Sequence, residues 1–206
     1  MKTPARLRSF LVIAASSLLL IPNGHAVSIT WDANGTAALQ PDGAGDWTTA
    51  GQWWNGTSNT NWTSGDNAIF GNSGTGDAVT LSAPTTIGAL TFNSFTGTYT
   101  LGSSGQAITL NGGITMNSGA GNATLISPIT LGAAQSWTNN SAGLLTIGTG
   151  AVTNGGFQLT VGGTGNTAIS SAIGGIGGLT KSGNGTLSLS GSNGYTGAST
   201  VALGTL

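Results

Sequence analysis

The chain has no cysteine, so neither disulfides nor thiol chemistry can hold it together or drive a reaction. Charge is nearly missing as well, at 4% of 206 residues. The single His, His25, and three of the four basic residues, Lys2, Arg6 and Arg8, all fall within the first 26 positions. Beyond them the ionisable side chains are Lys181 against Asp32, Asp42, Asp46, Asp66 and Asp77, a formal side-chain charge of −4. With no basic patch, nucleic acid and anionic membrane surfaces are excluded as partners. A Ser-His-Asp triad lacks its base, a zinc site lacks imidazole and thiolate, and a cysteine nucleophile does not exist. No catalytic residue, metal site or cofactor is therefore expected, and the chain does not read as an enzyme. Missing too, outside the N-terminal leader, is any window of ten or more residues with a helical apolar stripe.

The first 26 residues read as a Sec signal peptide. Lys2, Arg6 and Arg8 precede an apolar run from Phe10 to Ile21, followed by Pro22-Asn23-Gly24-His25-Ala26. Small residues at Gly24 and Ala26 place cleavage after Ala26, leaving Val27 as the first mature residue. The apolar run is short of the ~20 residues that span a bilayer, so no direct membrane span is expected once the leader is gone. The protein is expected to be secreted or displayed at a cell surface.

What the chain does contain is glycine, 37 residues of it, together with 38% hydrophobic residues in short alternating bursts. Disordered segments combine low hydrophobicity with high charge, and this chain has neither. Ala78–Leu81, Thr86–Phe92, Thr98–Leu101, Ala107–Leu110, Ile129–Leu131, Leu144–Ile147 and Phe157–Val161 read as short strands, separated by Gly/Ser/Asn clusters that turn the chain. Thr80-Leu81 recurs as Thr100-Leu101, and Ile108-Thr109-Leu110 as Ile129-Thr130-Leu131, so the period is about 20 residues. These features predict an all-β solenoid of about six rungs stacked ~4.8 Å apart, over residues 78–206. The competing architecture, an antiparallel sandwich, favours two-residue hairpins and longer strands, which are scarce here.

The clearest unit is Gly174–Leu206, GGIGGLTKSGNGTLSLSGSNGYTGASTVALGTL. Leu187 and Leu189 alternate with hydroxyls, and Gly185-Thr186-Leu187 returns as Gly204-Thr205-Leu206 after one turn's length. The segment resembles the autotransporter-associated β-strand repeat, also called the passenger-associated transport repeat, whose members run close to GGLTKxGxGTLxLxGxNxYTGxTxVxxGTL. Gly177 to Lys181, Gly183, Gly185 to Leu187, Leu189, Gly191, Asn193, Tyr195 to Gly197, Thr200-Val201 and Gly204 to Leu206 fall on it in order. Gly194 departs from it, standing where the family usually carries Thr. The resemblance implies a right-handed parallel β-helix in the exported passenger of a bacterial surface protein. It implies a structural and transport role with no catalytic residue, and continuation into further repeats and a C-terminal translocator or anchor. These 206 residues are accordingly expected to be a portion of a longer chain.

Residues 27–77 differ in texture and read as a Trp-rich N-terminal cap. Five of the six tryptophans, Trp31, Trp47, Trp53, Trp54 and Trp62, lie there among Asn-Gly, Asp-Gly and Gly-Asp turns. Two roles compete for them. The rings of Trp47, Trp53, Trp54 and Trp62 can stack on surface glycans, as in an adhesin, or close the open end of an apolar column; capping is favoured. Asp32, Asn34, Asp42 and Asp46 carry the oxygens Ca²⁺ takes, but without a calcium-loop motif they read as turn residues. A polysaccharide-active enzyme built on paired Asp ranks third, after stalk and adhesin. Lys181 is expected at the solvated edge of a strand and Tyr195 at a corner of the last rung, with Leu187, Leu189, Val201 and Leu203 pointing inward.

Overall fold

The computed structural model describes residues 26–36 and 40–206; the leader reading, with Lys2, Arg6, Arg8 and His25, lies outside the described residues. The described residues form twenty short strands and no helix. Parallel pairing winds them into a β-solenoid of about six turns. Among the described residues no helix is long and apolar enough to cross a membrane.

The strands lie on three faces, and each full turn visits all three. The first stacks Ser28–Trp31, Asn67–Phe70, 89–92, 113–116, Gln135–Asn139, Leu159–Gly163, Leu179–Lys181 and Ser199–Val201. The second stacks Gly45–Asp46, Thr75–Thr80, Thr96–Leu101, Asn122–Leu125, Leu145–Ile147, Thr167–Ile169 and Leu187–Leu189. The third runs through 85–87, 108–110, Ile129–Leu131, Val152–Thr153 and Ile173–Gly174. The long strands Thr85–Phe92 and Ile108–Met116 bend round a corner and join the third face to the first in one sheet.

The period-2 pattern sets which side chains go in. On the first face Ile29, Ala68, Leu90, Ile114, Trp137 and Val161 lie over one another in register, all buried. On the second, Val79, Leu101, Leu125, Ile147 and Ile169 do the same. On the third, Ile108, Ile129, Val152 and Ile173 repeat it. Each fully buried aliphatic side chain contributes about 1.5–3 kcal/mol, and it is the rung above and below that removes it from water.

The spacing is looser than the sequence suggests. Leu90 faces Ile114, 24 residues on, whereas Val161 faces Lys181 after 20. Ile108-Thr109-Leu110 does sit against Ile129-Thr130-Leu131, and Thr186 bridges Thr205. Thr80-Leu81 does not sit against Thr100-Leu101. A register shift between Gly76 and Ala78 places Val79 opposite Leu101, while Thr80 pairs on its other side with Asp46.

Two motif glycines show why the corners need them. Gly183 has φ +76°, and a Cβ there would run into the backbone of Gly163 in the preceding coil. Gly185 packs as tightly on Gly165, where a side chain would collide with the carbonyl oxygen. Stacked corners thus bring backbone onto backbone.

Rung-type pairing begins at Ser28–Trp31, inside the tryptophan-rich stretch, because this strand is parallel to Asn67–Phe70. Its other edge is covered by an antiparallel ribbon, Trp53–Trp54 followed by Asn59–Thr60. Leu187 points inward and is fully buried, and Leu189 packs partly against the core. Val201 and Leu203, expected inside, are 51% and 54% exposed: Val201 continues the inward register over Lys181, and no described strand stacks on it.

Candidate functional site

The tryptophans converge at one end of the column. Trp47 packs 4.8 Å from Trp53 and 4.9 Å from Trp62, and Trp53 packs 5.3 Å edge-on against Trp31, measured between ring centroids. Phe70 touches Trp31, Trp47 and Trp53, then stacks on Phe92 in the next coil, so the cluster continues into the rung interior. The tilted and edge-on geometry is that of core packing. Trp31, Trp47 and Trp53 are wholly buried, while Trp54 and Trp62 are half-buried. Trp47 and Trp53 therefore present no ring face to a sugar in this structure, because each is enclosed by its aromatic neighbours.

Indole N–H groups are only partly matched to turn carbonyls. Trp31 Nε1 donates to Gly43 O at 3.0 Å and Trp53 Nε1 to Trp47 O at 2.9 Å. Trp47 Nε1 and Trp62 Nε1 are buried with no acceptor among the described residues. The sixth tryptophan, Trp137, is a core residue mid-column, its Nε1 donating 3.1 Å to Gln135 Oε1.

The carboxylates serve the turns. Asp42 accepts from Gly71 N, Asn72 N and Gly74 N and from the Tyr99 hydroxyl, at 2.7–3.0 Å, and so fastens the 71–74 turn onto the column. Burial pushes the Tyr99 phenol above its ordinary range, and the hydrogen bond to Asp42 adds to the rise. Asp46 accepts from Thr48 N and Oγ1, Thr80 Oγ1 and Ser82 Oγ. Burial raises its pKa, but these donors together outweigh burial and hold it below the usual value. Asp32 is fully buried and accepts 2.7 Å from Asn59 Nδ2 and 3.3 Å from Asn34 N. Asn34 Oδ1 in turn caps Thr36 N and Oγ1. The oxygens of Asp32, Asn34, Asp42 and Asp46 face N–H and O–H donors, not a shared opening for a cation. Asp77 accepts from the neighbouring Ala78 N.

Lys181 overturns its expected place. It is 2% exposed, on the inward register between Val161 and Val201. Its Nζ donates to Ser182 O and Gly183 O at 2.8 Å and to Leu203 O at 3.3 Å, using all three ammonium protons. Burial holds its pKa below the ordinary lysine value. Leu203 belongs to the following coil, so the ammonium ties two corners together. The sequence carried the signal: with Leu179 inward and Thr180 outward, strand alternation puts Lys181 inward whatever its charge. Tyr195 packs partly against the core beside the last described coil, its hydroxyl 2.7 Å from Ser199 Oγ.

Residues 179–206 match the family model of the Passenger-associated-transport-repeat. The chain is also 32% identical over 204 residues to the Adhesin BmaC autotransporter of Brucella suis biovar 1 (strain 1330). That match takes in 95% of this chain but only 4% of the relative's length. No solved structure matches the chain. In the fold, the matched residues supply the coils that carry Lys181, Leu187 and Val201, with Leu179 as the first inward side chain. The glycine corners and leucine ladder agree with the repeat match, and the chain carries a passenger-associated transport repeat over residues 179–206.

Proposed function

We propose that this chain is a segment of an exported, surface-displayed autotransporter-type passenger that acts as a structural stalk. Its repeats assist export by stacking rung upon rung. The observation that carries the reading is the matched repeat itself, which extends the same parallel first face, Val161 over Lys181 over Val201, that starts beside the tryptophan cluster. Support comes also from the polar groups: the carboxylates and Lys181 are engaged in holding turns and corners. On this reading the chain works without catalysis, its leader is removed after Ala26, and it is joined to a translocator or anchor. A second reading, adhesin, is favoured by the relative's name and by Trp54 and Trp62, which are only half-buried.

The test is to express the chain joined to an autotransporter translocator in a Gram-negative host, label intact cells with an impermeant reagent, and apply the purified mature protein to a glycan array. Surface or medium labelling without glycan retention is expected. Labelling only after lysis overturns the passenger reading, and glycan retention abolished by Trp54→Ala replaces the stalk with the adhesin.

A further inference from the structure

The first strand is fastened through Val27, the residue just before it. Val27 O accepts from Asn67 N at 2.8 Å, and Val27 N donates to Asp66 Oδ1 at 3.0 Å. Ala26 lies outside this ladder, and both Ala26 and Val27 are exposed. The Val27 nitrogen is also the atom that becomes the α-amino group if the leader is cut after Ala26. Beside it a cavity of about 590 Å³ is lined otherwise by Ala26, Thr63, Ser64, Gly65 and Asn111, so Asp66 is the one titratable side chain facing that nitrogen.

We infer that leader removal creates an ion pair between the Val27 α-ammonium and Asp66, which tightens the fastening at the start of the solenoid in the processed protein. The inference rests on the proposed cleavage after Ala26. Hydrolysis of the Ala26–Val27 peptide bond takes up one water: the carbonyl carbon of Ala26 gains its oxygen as a carboxylate, and Val27 keeps the nitrogen as an ammonium. A single neutral N–H donor becomes a charged group with three, at a position already within hydrogen-bond distance of a carboxylate. The departing Ala26 carboxylate would have repelled Asp66, and it leaves with the leader. Lys181, the sole basic side chain among the described residues, is held by carbonyls in a coil far along the chain. The new ammonium is thus the counter-charge available to Asp66.

The test uses protein secreted from the full chain, as wild type, Asp66→Asn and Asp66→Glu. N-terminal sequencing fixes the first residue, and an NMR titration of Val27 follows its α-amino group. The expected result is a Val27 start with an α-amino pKa raised by about half a unit over the ordinary 7.7–8.0, restored to that range in Asp66→Asn and raised again in Asp66→Glu. A first residue other than Val27 overturns the processing on which the pair depends. A Val27 start whose pKa is the same in wild type and Asp66→Asn overturns the pair alone.

Discussion

The two ends of the described column are built by different means. At the tryptophan end the apolar interior is closed by large rings, and the sheet edge is covered by an antiparallel ribbon that no parallel coil can extend. In the repeat coils there is no aromatic cluster. Aliphatic side chains fill the interior, and a buried ammonium collects the corner carbonyls that tight glycine turns leave facing inward. The aromatic end needs many side chains that meet once. The repeat end needs few side chains, each usable again one coil later, and so suits a sequence written in short copies.

The sharpest way to break the comparison is to remove a ring. Trp53→Ala should cost about 3–5 kcal/mol, since it empties the centre of the cluster and strips Trp47 O of its donor. Urea unfolding of the secreted protein measures it. Leu187→Asp should cost about 3 kcal/mol by placing an unpaired charge in the column, with Val201 and Leu203 exposed nearby to permit local opening. If Leu187→Asp proves more damaging than Trp53→Ala, the aromatic end is not the firmer one.

Lys181→Ala should cost about 2 kcal/mol, from a small cavity and three carbonyls that lose their donor. Lys181→Met fills the space and should recover part of that loss. It should also change the pH profile. Because burial holds the folded pKa of Lys181 below its unfolded value of about 10.4, the unfolded chain binds more protons in that window. The destabilising contribution is therefore full below the folded value and fades as pH rises to about 10.4. Lys181→Met should flatten this rise in stability. Tyr99 acts oppositely: its raised folded pKa means that stability falls as pH climbs past about 10, where the unfolded phenol ionises. Thermal unfolding between pH 7 and 11 reads both slopes.

The solenoid was legible because its strands obey a two-residue alternation and its corners gather Gly, Asn and Ser; Ile108 to Leu110 even announces its partner at Ile129 to Leu131. The register of Thr80 was not, because a bulge near Gly76 shifts pairing without changing composition. Lys181 misleads because its charge points to solvent while strand alternation points inward, and in the fold three carbonyls make an inward ammonium tolerable. Trp137 gave no clue to its mid-column place, nor did Asn139 and Asn154, buried at corners where each side chain bonds turn backbone. Such corner polar groups look like surface residues until the next coil covers them.

In-register parallel stacking is the claim on which all of this depends, and the absence of cysteine makes it directly testable. Thr109 and Thr130 face each other on adjacent strands with their side chains toward solvent, and Thr86 lies one coil before Thr109. Adjacent strands are about 4.8 Å apart, within disulfide range, and strands two coils apart are not. The pair Thr109→Cys with Thr130→Cys should cross-link readily under mild oxidation, and Thr86→Cys with Thr130→Cys should remain free. Cross-linking of the second pair, or failure of the first in folded protein, would contradict the solenoid.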